Sequence, residues 1–146
     1  MKLLMLLLFV FTLAACNGET EEVDYPLDGE YSTTIESADF DGDSADISVS
    51  REGYVDDIEV LVTFTDGVIT DFEVTNHSES DEWGAILISE GELQQAIIEQ
   101  GSDFTDIALE DYTDLEDTDA SGAATQTGES LIDIARAAYE HFEAYR

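Results

Sequence analysis

Between residues 58 and 74 the pattern of side chains leaves the backbone little choice. Ile58, Val60, Val62 and Phe64 alternate with Glu59, Leu61 and Thr63; Asp66-Gly67 interrupts; then Val68, Thr70, Phe72 and Val74 resume the alternation. Successive side chains on a strand point to opposite faces, so a period of two collects each apolar set on one side. Asp-Gly suits the two-residue hairpin turn, whose central residues need positive φ. The stretch reads as a β-hairpin with one face on the core.

The flanking segments supply more strands and a cover. Asp28-Gly29-Glu30 reads as a turn opening a strand toward Ile35, and residues 45–51 as a short strand with Ile47 and Val49 on one face, punctuated by Gly53. Ser89-Glu90-Gly91-Glu92 has the form of a capping box. It predicts a short helix with Leu93, Ala96 and Ile97 inward and Gly101 as terminator. Residues 102–118 are acidic and irregular, with Phe104, Ile107, Leu109, Tyr112 and Leu115 as scattered anchors. A last helix over about 128–143 places Leu131, Ile134, Ala135, Ala138 and Phe142 at helical spacing. The fold class is α+β: one small domain, an antiparallel sheet with two main helices packed on it.

Charge narrows the function. The chain has 36 Asp plus Glu against 4 Lys plus Arg, a formal net charge of −32. Nucleic acid and anionic membrane surfaces would repel it. A hydrophobic content of 43% and clear periodicity argue against disorder. Salty surroundings, where ions screen the self-repulsion, account for the composition. Asp39, Asp41, Asp43 and Asp46 are dense enough for a hard cation such as calcium. An EF-hand loop, however, would have Gly at the position of Ser44 and Glu at that of Ser50, and a solvated acidic loop explains the same residues. No Cys or His metal cluster and no Ser-His-Asp arrangement is present.

The chain opens with Met1-Lys2 and an apolar run from Leu3 to Ala15, shorter than the roughly 20 residues of a membrane span. Leu13-Ala14-Ala15-Cys16 is similar to a bacterial lipoprotein signal, which implies cleavage before Cys16 and diacylglycerol on its thiol. A secretory peptide with a chance Cys is the alternative. Cys16 is the single Cys, so no intrachain disulfide forms. The organisation expected is a signal peptide over 1–15, a lipidated N-terminus and polar tether over 16–27, and a domain over 28–146.

Asp119-Ala120-Ser121-Gly122-Ala123-Ala124-Thr125-Gln126-Thr127 leads into the last helix. Small residues let a backbone approach a ligand, and a helix N-terminus attracts phosphate. A plain loop with a Thr-capped helix accounts for the same residues. The stretch resembles the flavin-attachment motif of the FMN-binding domain family, in which Asp, two free positions, Ser or Thr, Gly, Ala, Thr or Ser, one free position and Thr precede a helix. With Asp119 as the motif's Asp, Thr125 and Thr127 fall on its hydroxyl positions and Thr127 is the acceptor. Aligning Ser121 instead puts Gln126 there, and a carboxamide cannot form the ester. In the chosen register Gly122 replaces Ser or Thr and Ala123 replaces Gly, so a positive φ there would suit Ala123 badly. Ala124 keeps the motif's Ala.

The resemblance extends from about Gly53 to Phe142. The family's strand pair leads to a His, then a Glu, a hydroxyl residue and a Gly; here the hairpin leads to Asn76-His77-Ser78-Glu79-Ser80 and Gly84. His77 is either a flavin contact or a surface His at a strand end. Glu79 reads as orienting its loop, since a carboxylate would repel the FMN phosphate. Trp83 either stacks on the isoalloxazine or is partly buried on its own account. The resemblance implies a membrane-anchored extracytoplasmic flavoprotein of a bacterium, carrying covalent FMN for electron transfer rather than acting as a self-contained enzyme. It implies a flavin transferase and redox partners in or near the membrane. The alternatives are a lipoprotein binding FMN or another ligand noncovalently, and a calcium-dependent surface interaction protein.

Overall fold

The computed structural model describes residues 23–25, 33–80, 84–102, 104–113 and 118–146, with the side chains of 23–25, 105 and 118–121 outside the description. The signal peptide, Cys16, Trp83 and Leu115 lie outside the described residues, as does the side chain of Asp119. Five strands, β1 (Val23–Tyr25), β2 (Thr33–Asp41), β3 (Ser44–Glu52), β4 (Asp57–Thr65) and β5 (Val68–Asn76), form one antiparallel sheet in sequence order. Helices α1 (Gly84–Glu90), α2 (Glu92–Gln100), α3 (Glu110–Thr113) and α4 (Thr118–Tyr145) follow, with a 3-10 turn at Phe104–Asp106. The α+β expectation holds. β1 falls inside the stretch read as a tether and pairs with β2 as an edge strand. Among the described residues no helix is long and apolar enough to cross a membrane.

The β4–β5 hairpin closes through Asp66 (φ 52°) and Gly67 (φ 85°), the two positive values its turn demands. Ile58, Val60, Val62 and Phe64 are all buried, as the alternation predicts. On β5 the expectation fails in part. Val68 and Thr70 are exposed, while Ile69 and Phe72 are buried. Thr63 pairs with Asp71 but Phe64 pairs with Ile69, so Thr70 is an extra residue in the ladder. One extra residue flips every following side chain to the other face.

The acidic stretch is not a free loop. Asp39–Asp41 end β2, Ser44–Asp46 begin β3, and Gly42 and Asp43 make the turn between them. Asp39, Asp41 and Asp46 line an open surface depression, where Asp46 accepts a hydrogen bond from Thr63 Oγ1 at 2.8 Å.

Helix α4 covers the sheet with Leu131, Ile134, Ala135, Ala138 and Phe142, each fully buried, and Phe142 stacks on Phe64 at 4.3 Å between ring centroids. Leu93 and Ile97 of α2 are buried as expected, and Gly101 ends that helix with φ 72°. The capping box does not form. Ser89 and Glu90 close α1, Ser89 Oγ bonds Ile86 O at 3.0 Å, and Gly91 precedes α2 without a side-chain cap.

Among the described residues most carboxylates lie on the surface, and the chain has only 4 Lys plus Arg, so mutual repulsion opposes the compact state. Melting temperature is therefore expected to rise as sodium chloride goes from about 0.05 to about 1 M, where the screening length shrinks to about 3 Å. A thermal melt followed by circular dichroism at each salt concentration checks this; a flat or falling series would refute the repulsion argument.

Candidate functional site

Three consecutive residues, the last two of β3 and Gly53 just beyond it, are tied to one stripe of α4. Arg51 Nη2 meets Asp133 Oδ2 at 2.9 Å, Ser130 Oγ donates to Glu52 O at 2.7 Å, and Gln126 Nε2 donates to Gly53 O at 3.4 Å. Positions 126, 130 and 133 follow the i, i+4, i+7 spacing of a single helix face. These ties set the register of α4 against the sheet end, and with it the position of Thr127.

Thr127 is fully buried. Its Oγ1 donates to Glu79 Oε2 in a short hydrogen bond and lies 3.1 Å from Ala123 O. A hydroxyl has one proton, and the charge-assisted partner is the stronger. Glu79 is 5% exposed and is the one carboxylate in the buried set among the described residues. Its Oε1 accepts the backbone N–H groups of Tyr54 at 3.0 Å and Val55 at 3.1 Å. Its own N–H donates to His77 Nδ1 at 3.3 Å. Glu79 does orient its loop, but it also meets the predicted acceptor hydroxyl directly, which the sequence reading did not foresee.

Gly84 explains how that meeting is sterically allowed. A Cβ there would fall 2.5 Å from both Glu79 Oε2 and Thr127 Oγ1. That is closer than a real Cβ approaches such atoms, so only Gly lets α1 start against this pair. Gly53 is as tight from the other side, with Glu79 Oε1 at 2.4 Å from its would-be Cβ.

A family model described as the FMN-binding domain matches residues 53–140. The chain belongs to the FMN-binding domain family. The match begins at Gly53 and contains both separated motifs, which the fold brings together at Glu79 and Thr127. Neither curated proteins nor solved structures gave a significant match.

In this FMN-binding domain the attachment-like stretch is not a loop before a helix. Helix α4 begins at Thr118, so Thr127 stands about two and a half turns inside it. Free helix N-terminal N–H groups therefore do not face Thr127, and it is no N-cap. Ala120, Ala123 and Ala124 favour helix, and Ala123 and Ala124 are buried. The concern over a positive φ at Ala123 disappears, since Asp66 is the single non-glycine with positive φ among the described residues. Gly122 is exposed with open space around it. Thr125 points elsewhere, 3.5 Å from Thr113 Oγ1, and so docks α3 rather than lining the Glu79 pair. His77 is half-buried, with one ring nitrogen engaged by Glu79.

The sequence reading did not single out Arg51, Gln126, Ser130 or Asp133 as building the site. Arg51 carried a usable signal: it is one of three arginines in a chain with 36 acidic residues, so its place in a strand was worth explaining.

Proposed function

We propose that the chain is an extracytoplasmic, lipid-anchored electron carrier whose FMN is joined to Thr127 through a phosphoester. The observation that carries this reading is the convergence of the two family motifs, 48 residues apart, on one hydroxyl beside one carboxylate. An oxygen nucleophile next to a proton acceptor is the donor set that ester formation needs.

Charge favours the covalent form over noncovalent retention. A free phosphomonoester carries about −1.5 to −2 charges at neutral pH, whereas the diester formed at Thr127 carries about one. The site offers a buried carboxylate, and the buried arginine, Arg51, is engaged with Asp133 and Thr33. In such surroundings the form with less negative charge is held better. Thr127 has no exposed surface, so the flavinylated chain has a rearranged cover over it at Gly84. Once bound, the isoalloxazine supplies reversible redox chemistry, and the protein positions it. A flavin transferase attaches it, and redox partners in or near the membrane exchange electrons with it. Cys16 carries the lipid that keeps the domain there, outside the cytoplasm, where a dissociated cofactor would be lost.

The test is mass spectrometry of the chain from the membrane fraction of cells with an active flavin transferase. The expected result is one peptide with FMN on Thr127 and an N-terminal peptide with lipid on Cys16. A membrane-fraction chain bearing neither group would overturn the reading. Flavin lost on denaturation would mark the noncovalent alternative instead.

A further inference from the structure

We propose that Glu79 is the proton acceptor that activates the Thr127 hydroxyl for flavin attachment. This rests on Thr127 being the acceptor, as read above. A threonine hydroxyl is a weak nucleophile until a neighbouring base takes its proton. Glu79 Oε2 already receives the hydrogen bond from Thr127 Oγ1. The other neighbour of that hydroxyl, Ala123 O, is a carbonyl and cannot take the proton. His77 directs a ring nitrogen to the Glu79 N–H and not to Thr127.

The carboxylate is held for this task from two sides. Tyr54 and Val55 donate to Oε1, and His77 holds the backbone of Glu79. Among the described residues every other acid is at least partly exposed, so a buried one needs a cause. Capping the Tyr54–Val55 turn would occupy Oε1 alone; Oε2 is aimed at the hydroxyl. Access requires the Gly84 end of α1 to move off α4. That motion leaves the bonds from Tyr54 and Val55 intact, so Glu79 stays on Thr127 while the hydroxyl opens.

The donor must be an activated flavin, a phosphoanhydride presented by the transferase. The bond from Thr127 Oγ1 to the flavin's phosphorus forms as the anhydride P–O bond breaks. The electron pair of that bond leaves with the departing phosphate, and the hydroxyl proton passes to Glu79 Oε2. Nothing is oxidised or reduced.

The experiment follows attachment to the flavin-free full chain, with purified transferase and the flavin phosphoanhydride, by in-gel flavin fluorescence. Glu79→Gln keeps the shape and removes the base. Its kcat for attachment is expected to fall about 100-fold or more, with KM for the chain unchanged. Circular dichroism and melting report whether the variant folds. If it does not, Gly84→Ala decides: its new Cβ separates the two groups while leaving both present, and attachment is expected to fall by a similar factor. Attachment to a folded variant within about threefold of the original chain, or faster, would overturn the role, because a base removed costs far more than that. Should the unaltered chain take no flavin on Thr127, the function proposed above fails and this role with it. A labelled original chain with an unaffected variant overturns the role alone.

Discussion

Thr127→Ala is expected to abolish covalent flavin and also to lower stability by about 1–3 kcal/mol, the cost of leaving a buried polar group without its partner. The two effects have separate causes. The alanine has no oxygen to esterify. It also removes the donor that Glu79 Oε2 engages, in a place where Thr127 has no exposed surface. Against this, alanine gains a few tenths of a kcal/mol in an α-helix interior. The net sign is destabilising because the orphaned acceptor is a carboxylate. Thr127→Ser restores an oxygen and is expected to retain both label and hydrogen bond. Thr125→Ala is expected to keep the label, since Thr125 is turned toward Thr113. Gel fluorescence, peptide mapping and thermal melts read all three. Flavin on Thr125 or Ser121 would show that the motif register is wrong.

That stability loss is itself a lesson in what the sequence carried. Taken as a capping residue, Thr127 would matter through a local bond at a helix end. The structure places it inside α4, where its importance comes from a residue 48 positions away. The start of the helix was hidden because Ser121, Gly122, Thr125 and Thr127 all suit caps and loops, whereas the decisive influence is tertiary: Ala123 and Ala124 are buried. The β4–β5 hairpin was legible because two independent local signals agreed, the period of two and the Asp-Gly turn. The extra residue at Thr70 was not, since an unpaired residue leaves composition and turn unchanged. Helix α1 escaped notice because seven residues give too little periodicity, and Ser89-Glu90 at its end imitates the beginning of another helix. At the site, motif spacing could name His77 and Thr127 but not the Glu79–Thr127 contact, which exists only once β5, α1 and α4 have met.

The tie between the sheet and α4 is tested most severely at Arg51. Arg51→Ala is expected to cost about 3 kcal/mol, the lower end for breaking a buried ion pair by removing one partner. For a domain of this size that lowers the melting temperature by about 10 °C. Arg51 is 5% exposed and bridges two elements, with Nη1 on Thr33 Oγ1 of β2 at 2.8 Å and Nη2 on Asp133 of α4 at 2.9 Å. The planar fork reaches both at once; a lysine ammonium on a single stem would not hold both in that geometry, so Arg51→Lys is expected to recover only part of the loss. Arg136 provides the internal comparison. It binds the same Asp133 at 2.9 Å but is 37% exposed and only three residues away on the same helix. Solvent and salt screen such a pair, so Arg136→Ala is expected to cost less than about 1 kcal/mol. The cost is smaller at Arg136 because its pair joins no separate elements, whereas Arg51 fixes the sheet end against α4, the helix that carries Thr127. Chemical denaturation of the two alanine variants at low and high salt checks this. Equal losses at Arg51 and Arg136, or a loss at Arg51 that vanishes in about 1 M salt, would show that the tie is a screened surface pair.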